Sequence, residues 1–201
     1  MFRITLLKVL SVAALPLVLA ACSSESTNQK TTDWSIESAQ SELNFSSTKN
    51  GDITETHSFE SLSGTVKANG EARIAIDLNS VNTNIEIRDE RMQKHVFNST
   101  AKQTAVVKAD IDPELLTTKK AATQTINGTL SMAGKITEFT ATVDVTPSKQ
   151  GLTVSTKQPI ALSVKALGIS EGINKLQEIA GLQSISDEVP VTFSISLTPK
   201  K

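Results

Sequence analysis

The chain has 201 residues with one cysteine, six phenylalanines, one tryptophan and no tyrosine, and its formal net charge is −1. No clustered basic face marks it as a nucleic-acid binder, and the scarcity of aromatic rings argues against base- or sugar-stacking platforms. A single cysteine forms no intramolecular disulfide, so stability has to come from packing.

At the N-terminus, Arg3 and Lys8 precede an apolar run from Val9 to Leu19 that is too short to span a bilayer. Residues 1–21 therefore read as a secretory signal peptide. Leu19-Ala20-Ala21-Cys22 is similar to the lipobox of bacterial lipoproteins, in which the cysteine takes a diacylglycerol before cleavage. Cys22 would then be the lipidation site and the first mature residue. Each buried methylene of the acyl chains contributes about 0.8 kcal/mol, so multiple acylation predicts a firm anchor. Ser23 in place of an aspartate points to the outer membrane, on the periplasmic side. Residues 22–32 form the acylated cysteine and a polar tether, which as a flexible coil spans under ~20 Å. The remaining 33–201 is long enough for one domain with a real core.

Alternation with a period of two dominates that domain, which predicts strands with one buried face. Leu43 and Phe45 alternate up to a hairpin signal at Asn50-Gly51, and a second extended stretch runs from Ile53 through Phe59 toward Gly64-Thr65-Val66. Asn69-Gly70 leads into Ile74, Ile76 and Leu78 on one face of a third strand. Thr83-Asn84-Ile85-Glu86 has capping-box spacing, and Arg88, Met92, His95 and Val96 recur at helical intervals, so a helix is predicted from Ile85 to Phe97. Ala105, Val107, Ala109 and Ile111 alternate next and end at Pro113. Ile126, Gly128, Leu130 and Met132, a turn at Ala133-Gly134, then Phe139, Ala141, Val143 and Val145 predict a further hairpin. Leu152 and Val154, then Ile160, Leu162 and Val164, continue the pattern. A second helix begins at Ser170 and ends at Gly181, with Ile173, Leu176, Ile179 and Ala180 on one face, placed to lid one end. Val189, Val191, Phe193, Ile195 and Leu197 close the chain as the cleanest alternation. Many antiparallel strands with one apolar face require a second sheet or closure on themselves, and a meander barrel satisfies that need.

Little in the sequence points to covalent chemistry. His57 and His95 lack a second ligand at metal spacing, so both read as surface or rim histidines and no metal is implied. The nucleophile elbow is absent, and the two S-x-x-K matches, at Ser46 and Ser99, lack their companion elements. Asp89 and Glu90 are sequence neighbours that do not face one another on a helix. The charged group Arg88-Asp89-Glu90-Arg91 admits two readings, a solvated helix face or a polar rim at the barrel mouth.

Trp34-Ser35-Ile36, Ser41-Glu42-Leu43-Asn44-Phe45, Ser80-Val81-Asn82-Thr83 leading into Ile87-Arg88-Asp89-Glu90-Arg91-Met92, and the stretch from Ile126 to Gly134 resemble the YceI-like polyisoprenoid-binding family. The resemblance implies an all-β, lipocalin-like antiparallel barrel, here of about eight strands with two short helices. It also implies an elongated apolar cavity holding a long isoprenoid chain such as a quinone tail. This chain departs from the family pattern at Ala101 to Ala105 and around Ala39 to Ser41.

An eight-stranded barrel either fills with side chains or holds one small ligand, and few rings with many Ala, Val and Thr favour a cavity. Phe45, Met92, Val96, Met132, Phe139 and Phe193 are the expected ligand-contacting residues, with Arg88 and Asp89 where a polar end would emerge. No cofactor is required beyond a possible bound polyisoprenoid or isoprenoid quinone, and monomer is the default state. Two alternatives stand beside a carrier, reservoir or sensor: an enzyme acting on such a lipid, and a solid-core structural lipoprotein.

Overall fold

In the computed structural model, residues 32–98 and 103–200 are described, and backbone hydrogen bonding divides them into twelve strands and three α-helices. The strands are β1 (Trp34–Ile36), β2 (Glu42–Lys49), β3 (Ile53–Phe59), β4 (Leu62–Val66), β5 (Glu71–Asp77), β6 (Val81–Asn82), β7 (Thr104–Asp110), β8 (Ala122–Met132), β9 (Lys135–Pro147), β10 (Leu152–Thr156), β11 (Ile160–Ser163) and β12 (Glu188–Pro199). The helices are α1 (Glu86–Arg91), α2 (Val164–Leu167) and α3 (Ser170–Ala180). The expected signal peptide, Cys22 and nearly all of the tether lie outside the described residues.

Pairing reduces the twelve strands to eight longer runs. β2 pairs with β3 while β1 pairs with β4, so 34–49 and 53–66 are two interrupted neighbours. By the same logic β5 and β6 form one run against β4 and β3, and β10 and β11 form one run against β12. Each run is antiparallel to the next through β7, β8 and β9. The last run returns to the first, with Trp34 opposite Pro199 and Phe45 opposite Val191. The result is a closed eight-stranded antiparallel barrel in meander order, as the alternation predicts.

Hydroxyl side chains patch the ladder where the runs break. Ser38 Oγ accepts from the Leu62 N–H (3.1 Å), Ser41 Oγ from the Ser196 N–H (3.0 Å), Ser80 Oγ from the Ser61 N–H (2.9 Å) and Thr156 Oγ1 from the Phe193 N–H (3.2 Å). Backbone donors that lose a strand partner at a bend thus keep an acceptor. At the Asn50-Gly51 and Ala133-Gly134 turns both central residues have positive φ, matching the right-handed twist of the paired strands.

Four local expectations change. The first helix is α only over Glu86–Arg91 and continues as a wider π turn over Met92–Val96. Thr83 is not its N-cap, because Asn84 (φ 60°) turns the chain between them, and both the Thr83 hydroxyl and its N–H donate to Asp89 Oδ1 instead. Leu78 leaves its strand for a 3-10 turn capped by Asp77, whose carboxylate accepts from the Asn79 N–H. Val164, expected to prolong a strand, opens α2, since Ser163 Oγ accepts from the Ala166 N–H and Gly168 (φ 75°) ends the turn.

The helices gather at one barrel end. α3 lies directly on the π turn, where a Cβ added to Gly172 would sit 2.3 Å from the His95 carbonyl oxygen. The β2–β3 hairpin reaches the same region: Asn50 Oδ1 accepts from the Gln183 N–H at 2.9 Å, just after α3.

Candidate functional site

Inward-facing side chains fall into two groups. Val66, Leu78, Val143, Val145 and Leu197 are completely buried, Val66, Leu78 and Leu197 among them in the cavity wall. Leu43, Ile74, Val107, Leu130 and Phe193 also point inward yet are only partly covered, because they face a cavity of about 450 Å³. Its volume lies within the range of small-molecule sites. Met92 and Val96 of the π turn and Ile173 and Leu176 of α3 form the roof, while Ile85 and Ile87, each about half exposed, stand at the mouth. The second helix therefore takes the lidding place expected of it.

Of the residues singled out from sequence, Phe45, Arg88, Met92, Val96, Met132, Phe139 and Phe193 line this cavity. Asp89 does not: its carboxylate is committed to Thr83 and holds the chain entering α1. Arg88 bridges inward and outward. Its Nη1 donates to Glu55 Oε2 (2.7 Å) and its Nη2 to the Thr83 carbonyl (2.7 Å), which rules out a purely solvated helix face for this residue.

His57 is neither a surface nor a rim residue. It is 5% exposed and lines the cavity, because it shares the inward phase of β3 with Phe59 and stands opposite Phe45. The Phe45 ring meets it edge-on at 5.2 Å, and the row continues through Phe59 (5.3 Å) to Phe97 (5.8 Å). The parity with Phe59 was the available signal, and the imidazole's polarity masked it. His57 Nε2 lies 3.2 Å from Ser47 Oγ. Burial, reinforced by the Arg88 charge, holds its pKa below the usual histidine value, so the ring is neutral at pH 7.

Sequence reasoning also missed Lys49 and Glu55. Lys49 Nζ and Arg88 Nη1 both contact Glu55 Oε2, at 2.6 and 2.7 Å, and these bonds, Lys49's first, pull the Glu55 carboxyl below its ordinary pKa against the desolvation of its site. Two polar atoms in this wall, His57 Nδ1 and Arg88 Nε, are buried without a hydrogen-bond partner among the described residues. Among the described residues no three His, Cys, Asp or Glu side chains are grouped to hold a metal ion.

The geometry fits what comparison with known proteins finds. The model of the YceI-like domain matches residues 34–197. The structure of a polyisoprenoid-binding domain from Saccharophagus degradans, implicated in plant cell wall breakdown, is 30% identical and superposes with a TM-score of 0.79, covering 83% of this chain and 98% of that one. Burkholderia cenocepacia BcnA shares the fold at 20% identity, with a TM-score of 0.59 over 80% of this chain and 98% of its own. A mutant CJ YCEI protein shares it at 16% identity, with a TM-score of 0.52 over 72% and 84%. No curated protein sequence matches significantly. With its barrel, its cavity and a family match over nearly all of the described residues, the chain belongs to the YceI-like family.

Proposed function

We propose that this chain is a lipid-anchored binding protein of the bacterial cell envelope that holds an isoprenoid or similar long apolar chain, of the quinone-lipid kind, as carrier, reservoir or sensor. The observation that carries this reading is the roofed cavity of about 450 Å³ with its almost entirely apolar wall. Such a wall favours a ligand whose removal from water supplies roughly 25 cal/mol per Å² of buried apolar surface. The relative from Saccharophagus degradans is described as polyisoprenoid-binding, which supports the same ligand class.

A hydrolytic role would have to rest on Ser47 and His57. Their 3.2 Å approach resembles a nucleophile and base, yet His57 Nδ1 has no carboxylate to orient the ring. Binding without turnover is the better account. Extraction and mass spectrometry of lipid from the purified protein test it: an intact isoprenoid is expected, a cleaved product would favour the enzyme, and an absence of lipid would refute the carrier. The proposed anchor is tested by Cys22→Ser, which should release the protein from the membrane fraction and abolish fatty-acid labelling. A variant that stays membrane-bound, with no label in either form, would overturn the anchor.

A further inference from the structure

We propose that the roof end of the barrel is a docking surface for a lipid bilayer of zwitterionic headgroups, onto which the cavity mouth opens. Among the described residues the exposed large apolar side chains are Ile53, Ile85, Ile87 and Ile136. All four lie at one end. Ile53 follows the Asn50-Gly51 turn, whose Asn50 Oδ1 accepts from the Gln183 N–H just after α3. Ile85 and Ile87 stand at the start of α1. Ile136 follows the Ala133-Gly134 turn, and beside it the Thr137 hydroxyl donates to the Ala166 carbonyl of α2 at 3.0 Å. The connections at the other end, 67–70, 111–121 and 148–151, expose no such side chain. The described barrel also begins at that other end, at Trp34, so the surface is distinct from the proposed anchor and is tested without it.

Area and spacing select the occupant. The four side chains come from three separate connections around the rim and together offer roughly a few hundred Å², against the ~800 Å² per partner that a stable protein interface buries around one contiguous apolar core. Scattered apolar points suit shallow insertion between headgroups, which requires no matching surface. Ile85 and Ile87 also line the cavity, so the rim is continuous with its apolar wall, and an apolar molecule passing from bilayer to cavity stays out of water. Charge selects the headgroup. Asp52 precedes Ile53, Glu86 stands between Ile85 and Ile87, Lys135 precedes Ile136, and Glu90 and Lys94 follow on the same helical segment, all of them exposed. With both signs in near balance, a strongly anionic surface repels as much as it attracts, whereas a headgroup carrying phosphate and ammonium meets a partner of each sign.

The test uses residues 23–201, which hold the whole closed barrel and no cysteine. Single cysteines introduced as Asp52→Cys and Lys135→Cys at the rim, and as Lys149→Cys in the β9–β10 turn at the opposite end, carry an environment-sensitive fluorophore. Vesicles of phosphatidylcholine and phosphatidylethanolamine should shift the emission of both rim labels to the blue and leave the Lys149→Cys label unchanged. In flotation, enriching the vesicles in phosphatidylglycerol should alter binding by less than about twofold, and the double variant Ile85→Ser/Ile87→Ser should lower it on the order of tenfold. Ile136→Ser, at a position that does not line the cavity, should also lower flotation while leaving the melting temperature unchanged, which separates docking from folding and from ligand binding. No shift at any label, an equal shift at Lys149→Cys, binding only to phosphatidylglycerol-rich vesicles, or dimerisation lost in Ile136→Ser in place of vesicle binding overturns the docking surface. Each of these results leaves the ligand cavity standing, since no ligand enters the experiment.

Discussion

Replacing Val107 with phenylalanine separates a barrel built around a cavity from one that is packed solid. Val107 lies mid-strand on β7, between Ile74 of β5 and Leu130 of β8, and all three are inward-facing yet only partly covered. The substitution adds about four carbon atoms, which at about 0.8 kcal/mol per buried methylene contribute about 3 kcal/mol if fully buried. Ordering the larger side chain takes back about 1 kcal/mol, and incomplete coverage in an open cavity reduces the gain further, to about 1–2 kcal/mol. For a domain of this size that raises the melting temperature by about 2–8 °C, at 2–4 °C per kcal/mol. In a filled core the same ring would overpack and cost about 1–3 kcal/mol. Thermal melts of lipid-free protein read the first quantity, and titration with geranylgeraniol should show affinity reduced by about tenfold, since the ring occupies ligand space. A lower melting temperature together with undiminished binding would show that Val107 does not face the ligand cavity.

Other consequences follow from particular contacts. Gly172→Ala drives a Cβ into the His95 carbonyl, so α3 must lift from the π turn; a loss of about 1–3 kcal/mol in denaturant melts is expected, and an unchanged midpoint would deny the close approach. Ser38→Ala removes the acceptor for the Leu62 N–H, costing about 1–2 kcal/mol and speeding hydrogen exchange of that amide more than of its neighbours. Acidification should weaken the fold in two stages. His57 has a folded-state pKa depressed below the ordinary 6.5, so its contribution is full above that value and declines as the pH falls through the folded value; His57→Gln should flatten this part of a melting-temperature profile. Glu55, also depressed, keeps its contribution until the pH falls below its ordinary 4.5 and through its folded value, so Glu55→Gln should remove the later decline. Parallel profiles for wild type and both variants would contradict the assigned environments.

The legible parts of this fold were the local ones. Phe139, Ala141, Val143 and Val145 announce β9 by parity alone, and Ala133-Gly134 and Asn50-Gly51 carry turn chemistry within two residues. The four strand breaks were hidden because Ser38, Ser41, Ser80 and Thr156 replace backbone acceptors across the barrel, and polar residues in a strand give no sign of which distant amide they serve. α2 was missed since four residues are too few for helical periodicity to displace alternation. At the site, the apolar wall followed from the strand phase. The Lys49–Glu55–Arg88 group did not, because Glu55 meets Arg88 across 33 residues of chain and only the folded barrel brings them together.

The pairing of β1 and β2 with β12 bears on how the protein is made. The first run closes against the last, so the barrel has no complete ring of hydrogen bonds until the final strand has been delivered. Contacts so distant in sequence form late and slowly, since the intervening chain must be ordered before they are rewarded. Until then the edges of β2 and β10 are unpaired and the apolar interior stands open as a trough. An apolar molecule present at that stage would be enclosed as β12 docks, without having to pass beneath the helical roof.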